Sequence, residues 1–288
     1  MENVLRSTRA TLEMIKWEHS IFALPFALTG AVLASDGWPA PRTLLFIVLC
    51  MIMARTAAMS FNRWLDAELD AANPRTAMRA IPAGQLSKSF VLLFTVVAST
   101  LFVGLSGMLN QLTLELSPVA LVVVLAYSYM KRVTRWSHLV LGLALGIAPA
   151  AAWIAVRGSL APRVLLLTAI VILWVGGFDV LYACQDFEHD RKAGLNSIPQ
   201  AFGLEGAFWI ARGMHVGMAV LLFVLLHAFG LGAIALAGMV VVLVLLGYEH
   251  AIVSPHDLRR MNAAFFTLNG VISMVFFAAV AADVLWRR

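Results

Sequence analysis

Two groups of polar side chains stand out in an otherwise apolar chain. Asn62, Asp66 and Asp70 are spaced four apart in NRWLDAELDAANPRT, and Asp179, Tyr182, Asp186 and Asp190 recur in DVLYACQDFEHD. On a helix, residues at i, i+4 and i+8 share one face about a turn apart, so each group is expected to form a stripe. Carboxylates presented by two neighbouring helices repel unless a divalent cation neutralises them. Hard oxygen ligands suit Mg²⁺, which keeps several waters and shares its shell with substrate phosphates. The paired stripes therefore read as a metal-bridged diphosphate site. Basic partners are available at Arg75 and Arg79, just after the first motif, and at Lys131 and Arg132.

The elements that must carry these side chains follow from composition. The 288 residues are 61% hydrophobic and 13% charged, about half the charge of a soluble domain, which is ~25%. Crossing a ~30 Å hydrocarbon core takes about 20 apolar residues, and the apolar residues here come in runs of about that length. An outer-membrane barrel would instead show alternating segments of about ten. The runs are His19 to Ser35, Thr43 to Asp66, Ser89 to Gly107, Leu112 to Met130, Ser137 to Val156, Pro162 to Gln185, Leu204 to Phe229, Gly230 to His250 and Asn262 to Trp286. The expectation is an all-α membrane protein of nine transmembrane helices, a single domain over residues 1–288, with function on the helices or in short loops.

Lys and Arg are retained on the cytoplasmic side of a membrane. With the N-terminus inside, nine spans place fourteen of the 21 basic residues in inner segments and five in outer ones, leaving Arg55 and Arg212 within helices. Both acidic stripes then sit at cytoplasmic ends, and an inner membrane location follows. Met1 to Lys16 carries three basic and two acidic residues with no apolar stretch before Ile21, unlike a cleavable signal peptide. Cys50 and Cys184 both lie in apolar runs and offer neither a disulfide framework nor a thiolate metal site. The net charge of +5 belongs to topology rather than to nucleic acid, since no basic, aromatic-interleaved soluble face exists.

The chain also repeats itself. Asn62, Asp66 and Asp70 align with Tyr182, Asp186 and Asp190 at an offset of 120 residues, and an Ile-Pro pair follows in each case, Ile81-Pro82 and Ile198-Pro199. Two similar halves are expected to face each other, the ninth helix closing the ring. The inner loops Ala71 to Lys88 and Arg191 to Gly203 would then cap the site and exclude water.

In these motifs, together with RAIPAG and YSYMKRVT, the sequence resembles the UbiA superfamily of intramembrane prenyltransferases over nearly its whole length. The resemblance implies transfer of a polyprenyl chain from a polyprenyl diphosphate onto an aromatic acid acceptor in ubiquinone or menaquinone biosynthesis. The acceptor it implies is 4-hydroxybenzoate, with 1,4-dihydroxy-6-naphthoate as the alternative. It implies that Asn62, Asp66 and Asp70 hold one Mg²⁺ and Asp186 and Asp190 another. Arg75, Arg79, Lys131 and Tyr182 would meet the diphosphate, so that Asp66, Asp70, Asp186, Asp190 and Lys131 form the catalytic set. Arg63 after Asn62 and Gln185 before Asp186 depart from the commonest pattern of the family.

Polar residues within spans are costly, roughly 2.5 to 3.5 kcal/mol for an Arg at a helix centre. Arg55 precedes Asn62 by seven residues, on the same helical face, and is expected to face the cavity and pair with Asp179 or another carboxylate. Glu18 and His19, and Glu249 and His250, are candidates to meet the acceptor. Among the aromatics, Phe22, Phe26, Trp153, Phe178 and Phe208 are candidates to line a groove for the isoprenoid. The competing class is a secondary transporter or divalent-cation channel. Its sites would lie near the bilayer midplane, whereas these stripes are terminal.

Overall fold

The computed structural model describes residues 10–15 and 23–287. Among them the chain is helical, with one isolated bridge pair at Ser254 and Asp257. The main helices are α1 (Leu24–Ser35), α2 (Pro41–Leu65), α3 (Ala67–Ala72), α4 (Lys88–Gly107), α5 (Gln111–Ala126), α6 (Ser137–Arg157), α7 (Val164–Ala183), α8 (Phe187–Ala193), α9 (Ile198–Ala228), α10 (Ala233–Ile252) and α11 (Asn269–Trp286). Short 3₁₀ turns extend α5 over Tyr127–Arg132 and α7 over Cys184–Asp186, and a π turn at Ala263–Leu268 leads into α11.

Eight helical spans of 20 to 31 residues are long and apolar enough to cross a membrane, because 20 residues at 1.5 Å each reach about 30 Å. The α1 helix is apolar but only 12 residues long, about 18 Å. The start of the apolar run expected from His19 falls at residues 16–22, outside the described residues. The chain is thus an integral membrane protein with large apolar side chains on its outer faces, among them Leu93, Val122 and Val244. Its interior centres on Trp174, with Phe26 at 5.0 Å from that ring and Phe276 at 5.3 Å from Phe26.

Lipid gives no hydrophobic force between helices, so small residues that let backbones approach do much of the work. In α6 a Cβ added at Gly142 would lie 2.5 Å from the Ile172 carbonyl oxygen of α7, and one at Gly146 would lie 2.9 Å from that of Thr168. This contact sets the two helices against each other beside the site. The α11 helix packs on both α10 and α1, joining the end of the chain to its beginning.

That last junction is held by a carboxylate. Asp283 of α11, almost wholly buried, accepts from the backbone N–H groups of Gly232 at 2.9 Å and Ala235 at 3.2 Å, and pairs with Arg287 at 2.9 Å. It thereby caps α10 from another helix, satisfying N–H groups that a helix start leaves without intrahelical partners. Asp283→Ala is expected to cost about 2 to 3 kcal/mol, read as a lower thermal midpoint in detergent. Asp283→Asn, which keeps an acceptor, should lose less.

Candidate active site

The acidic motif does not lie on one straight helix. The α2 helix stops at Leu65, Asp66 adopts φ −92°, ψ 7°, and α3 begins at Ala67. The second motif breaks the same way, since α7 gives way to a 3₁₀ turn and Asp186 adopts φ −98°, ψ 6° before α8. The 120-residue repeat is therefore visible as backbone conformation. The uninterrupted stripe expected from spacing is corrected to two helix segments meeting at the middle aspartate of each motif. At both positions the carboxylate is held by side chains, Asn62 and Arg132 for Asp66 and Asn73 and Arg75 for Asp186, and caps no backbone N–H of the helix that follows.

Around each carboxylate sits a cation. Asp66 accepts from Asn62 Nδ2 at 2.9 Å and pairs with Arg132 at 2.8 Å. Arg132 also donates to the Leu65 carbonyl at 3.3 Å, a cation at the C-terminal end of α2 where the helix dipole favours one. Asp70 pairs with Arg79 at 2.6 Å. Asp186 accepts from Arg75 Nε at 2.9 Å and from Asn73 Nδ2 at 3.2 Å. The Arg75 N–H donates to Asn73 Oδ1 at 3.0 Å, an Asx turn that aims the guanidinium across to the second half, where it also reaches Tyr182 Oη at 3.2 Å. Lys131, on the 3₁₀ turn after α5, stands among Asp190, Asp179, Asp186 and Asp66. Its carbonyl accepts from Asn196 N–H at 2.7 Å, tying the turn after α5 to the inner loop Arg191 to Gly203.

Burial pushes the Asp66 carboxyl above the usual carboxylate range, against the hydrogen bond and charge of Arg132. Burial also works against the charge on Arg75, but its bond to Asp186 outweighs this and holds the guanidinium more firmly protonated than usual.

These groups enclose a polar cavity of about 230 Å³, whose walls include Asn62, Asp66, Asp70, Lys131, Asp186 and Asp190. Arg63, Arg75, Arg79 and Tyr182 are shared with a neighbouring cavity of about 540 Å³, lined further by Arg55, Phe178, Phe265 and Phe266. The π turn presents the last two rings, and Phe265 packs on Tyr182 with centroids 4.1 Å apart. A third cavity of about 260 Å³, lined largely by alanines of α6 and side chains of α2 and α5, contains no charged group and offers no chemistry.

The expected diphosphate and metal residues are thus gathered in one place. The expected pairing of Arg55 with Asp179 is corrected: Arg55 does line the larger cavity, but Asp179 Oδ2 is taken by His138 Nδ1 at 2.7 Å. Glu249 and His250 turn inward, to Asn269 at 3.3 Å and to His215 at 2.8 Å, and line neither cavity. Phe26, Trp153 and Phe208 are core residues, whereas Phe178 does line the larger cavity. Glu18, His19 and Phe22 lie outside the described residues. Sequence reasoning missed Asn73 and His138; the Asn-Pro pair at Asn73 was a turn signal, whereas nothing in the sequence marked His138.

Whether the donors suit a divalent cation can be tested on the carboxylates themselves. Asp70 Oδ2 and Asp190 Oδ2 are buried without a hydrogen-bond partner, which is costly for a charged acceptor. Among the described residues no three His, Cys, Asp or Glu side chains close a cage. Such a half-open set of hard oxygens fits Mg²⁺, which fills its shell with water and phosphate oxygens.

The UbiA prenyltransferase family profile matches residues 23–271 of the 288. The chain belongs to the UbiA prenyltransferase family. The 4-hydroxybenzoate octaprenyltransferase of Vibrio cholerae is 30% identical over 280 residues, which are 96% of this chain and 98% of that protein. The solved structure of a UbiA homologue from Aeropyrum pernix K1 is 32% identical and superposes with a TM-score of 0.84, covering 92% of this chain and 98% of the other. A UbiA homologue from Archaeoglobus fulgidus bound to DMAPP and Mg²⁺ shares the fold at 17% identity with a TM-score of 0.72, covering 96% and 99%. As a UbiA family member the protein is a membrane prenyltransferase, and the mirrored motifs are where its chemistry is to be sought.

Proposed function

We propose that the protein transfers a polyprenyl group from polyprenyl diphosphate to 4-hydroxybenzoate, with Mg²⁺, at the cytoplasmic face of an inner membrane. The observation that carries this reading is the meeting of two symmetry-related carboxylate breaks, at Asp66 and Asp186, in one cavity with four cations, Arg63, Arg75, Arg79 and Lys131. The name of the Vibrio cholerae relative supports the acceptor, and the Archaeoglobus fulgidus neighbour supports a diphosphate bound with Mg²⁺. We assign the whole of 1–288 to one domain of nine spans with the N-terminus inside, α1 being the described part of the first. The basic residues Arg63, Arg75, Arg79, Lys131 and Arg132 collected at the site end favour that orientation by the positive-inside rule.

In this reading Asn62, Asp66 and Asp70 hold one Mg²⁺, and Asp186 and Asp190 hold the other. Bound there, the metal ions neutralise the charge that develops on the leaving diphosphate as the allylic C–O bond breaks. Arg75, Arg79, Lys131 and Tyr182 bind and orient the diphosphate, and their cations stabilise the same charge. Arg55 faces the larger cavity, where it is placed to receive the carboxylate of the acid acceptor, and Phe178, Phe265 and Phe266 give the ring and the first isoprene units apolar walls. The loop bearing Asn73, Arg75 and Arg79 covers the site and excludes water from the electrophilic prenyl carbon.

The test is turnover by purified protein in membranes with Mg²⁺ and radiolabelled polyprenyl diphosphate, 4-hydroxybenzoate and 1,4-dihydroxy-6-naphthoate being offered separately. The expected result is a prenylated product with 4-hydroxybenzoate. Product with the naphthoate alone overturns the acceptor, and none with either, despite donor binding, overturns the reaction.

A further inference from the structure

One carboxylate of the polar cavity has a histidine for its partner. Asp66, Asp70 and Asp186 each pair with an arginine, but Asp179 is held by a histidine. His138 at the start of α6 is completely buried. Its Nε2 accepts from the backbone N–H of Ile198 at 3.4 Å, so the ring proton belongs on Nδ1, which donates to Asp179 Oδ2 at 2.7 Å. Three helices meet in this arrangement: α6 gives the histidine, α7 the aspartate and α9 the N–H.

Asp179 also lies at a distinct depth. On α7 it follows Val175 and Phe178, which wall the larger cavity, and precedes Tyr182 and Asp186, which face the diphosphate groups. It therefore lies in the polar cavity on the stretch of α7 that leads into the larger one, where the ring and the prenyl carbon meet if the acceptor occupies the larger cavity. Its side chain is 18% exposed and forms part of the polar cavity's wall.

We infer that Asp179 is the group that takes the ring proton and that His138 is a positioning residue for it, an assignment that rests on the proposed prenyl transfer. In that step the allylic C–O bond breaks with its electron pair leaving on the diphosphate. A ring π pair forms the new C–C bond. The C–H bond at the same ring carbon then breaks, its electrons restoring aromaticity and its proton passing to Asp179 and on to water through the polar cavity. A protonated arenium ring is strongly acidic, so the acceptor need not be a strong base. It must be correctly placed, and the bond from His138 holds Asp179 in place.

The test uses the full-length protein in membranes and 4-hydroxybenzoate deuterated at the two ring positions beside the hydroxyl. Wild type is measured first; no transfer there overturns the prenyl-transfer reading and this assignment together, whereas the variants test the assignment alone. In Asp179→Asn, kcat is expected to fall by about 10²-fold or more, with KM for the donor unchanged and a primary deuterium isotope effect larger than that of wild type. His138→Gln should show a smaller fall and the same isotope signature. That variant carries the test alone if Asp179→Asn is recovered unfolded, and absence of the signature there overturns the assignment. A near-wild-type rate in Asp179→Asn also overturns it, the leaving diphosphate then taking the proton. So does a loss with raised donor KM and no isotope effect, which would place Asp179 with the diphosphate ligands.

Discussion

Asp66→Ala and Asp186→Ala are each expected to abolish prenyl transfer while leaving the protein folded in detergent. The two aspartates sit at equivalent breaks in the two halves, so each variant removes the central oxygen donor of one side. Loss of a single preorganised charge stabiliser costs a rate factor of about 10²–10³, and removal of a metal-holding carboxylate is expected to exceed it. Folding is spared because the partners left behind, Arg132 and Arg75, are about a quarter and a third exposed and can turn to solvent. The check is turnover measured across a Mg²⁺ titration, beside a size-exclusion profile and thermal midpoint. Activity within threefold of wild type in both variants, or rescue of both by added Mg²⁺, would sink the metal–diphosphate assignment.

Lys131→Met is the second large effect, and it falls on donor binding. Lys131 stands among four carboxylates contributed by both halves, and a methionine of similar length keeps the packing while removing the charge. Truncating one partner of a desolvated charge group costs on the order of 2 to 5 kcal/mol, so KM for the polyprenyl diphosphate is expected to rise at least about 30-fold. An unchanged donor KM, measured at saturating acceptor, would mean that Lys131 supports the carboxylates without touching the diphosphate. Lys131→Arg should recover part of the affinity, because charge returns in a bulkier form.

The spans, the repeat and the polar cluster were legible because they rest on strong sequence signals: apolar runs long enough to cross a bilayer, and carboxylates where carboxylates are costly. Spacing pointed to one diphosphate site formed by Asn62, Asp66, Asp70, Asp186 and Asp190, and the family resemblance brought Lys131 to it. Local backbone detail was less accessible. The i, i+4, i+8 spacing suits an unbroken helix, and the turn at each middle aspartate shows only in the dihedral angles. Partnerships across helices were harder still. Arg55 and Asp179 looked suited to each other by charge, yet which side chains meet depends on how α6, α7 and α9 cross. His138, which takes Asp179 instead, is a lone histidine just after a serine, with nothing around it to mark it. The π turn before α11 could not be anticipated either, since AAFFTL suits an ordinary helix.

The arginines that rest on Asp66, Asp70 and Asp186 give the ligands of this site a mutual dependence. A metal ion arriving alone must evict a guanidinium from its carboxylate, and a diphosphate arriving alone meets those carboxylates directly. In the proposed reading, when both arrive Arg75 and Arg79 exchange a carboxylate for the diphosphate and their charge is not stranded. Metal and donor are therefore expected to bind with positive coupling, and because such coupling is reciprocal each would raise the affinity of the other by the same factor.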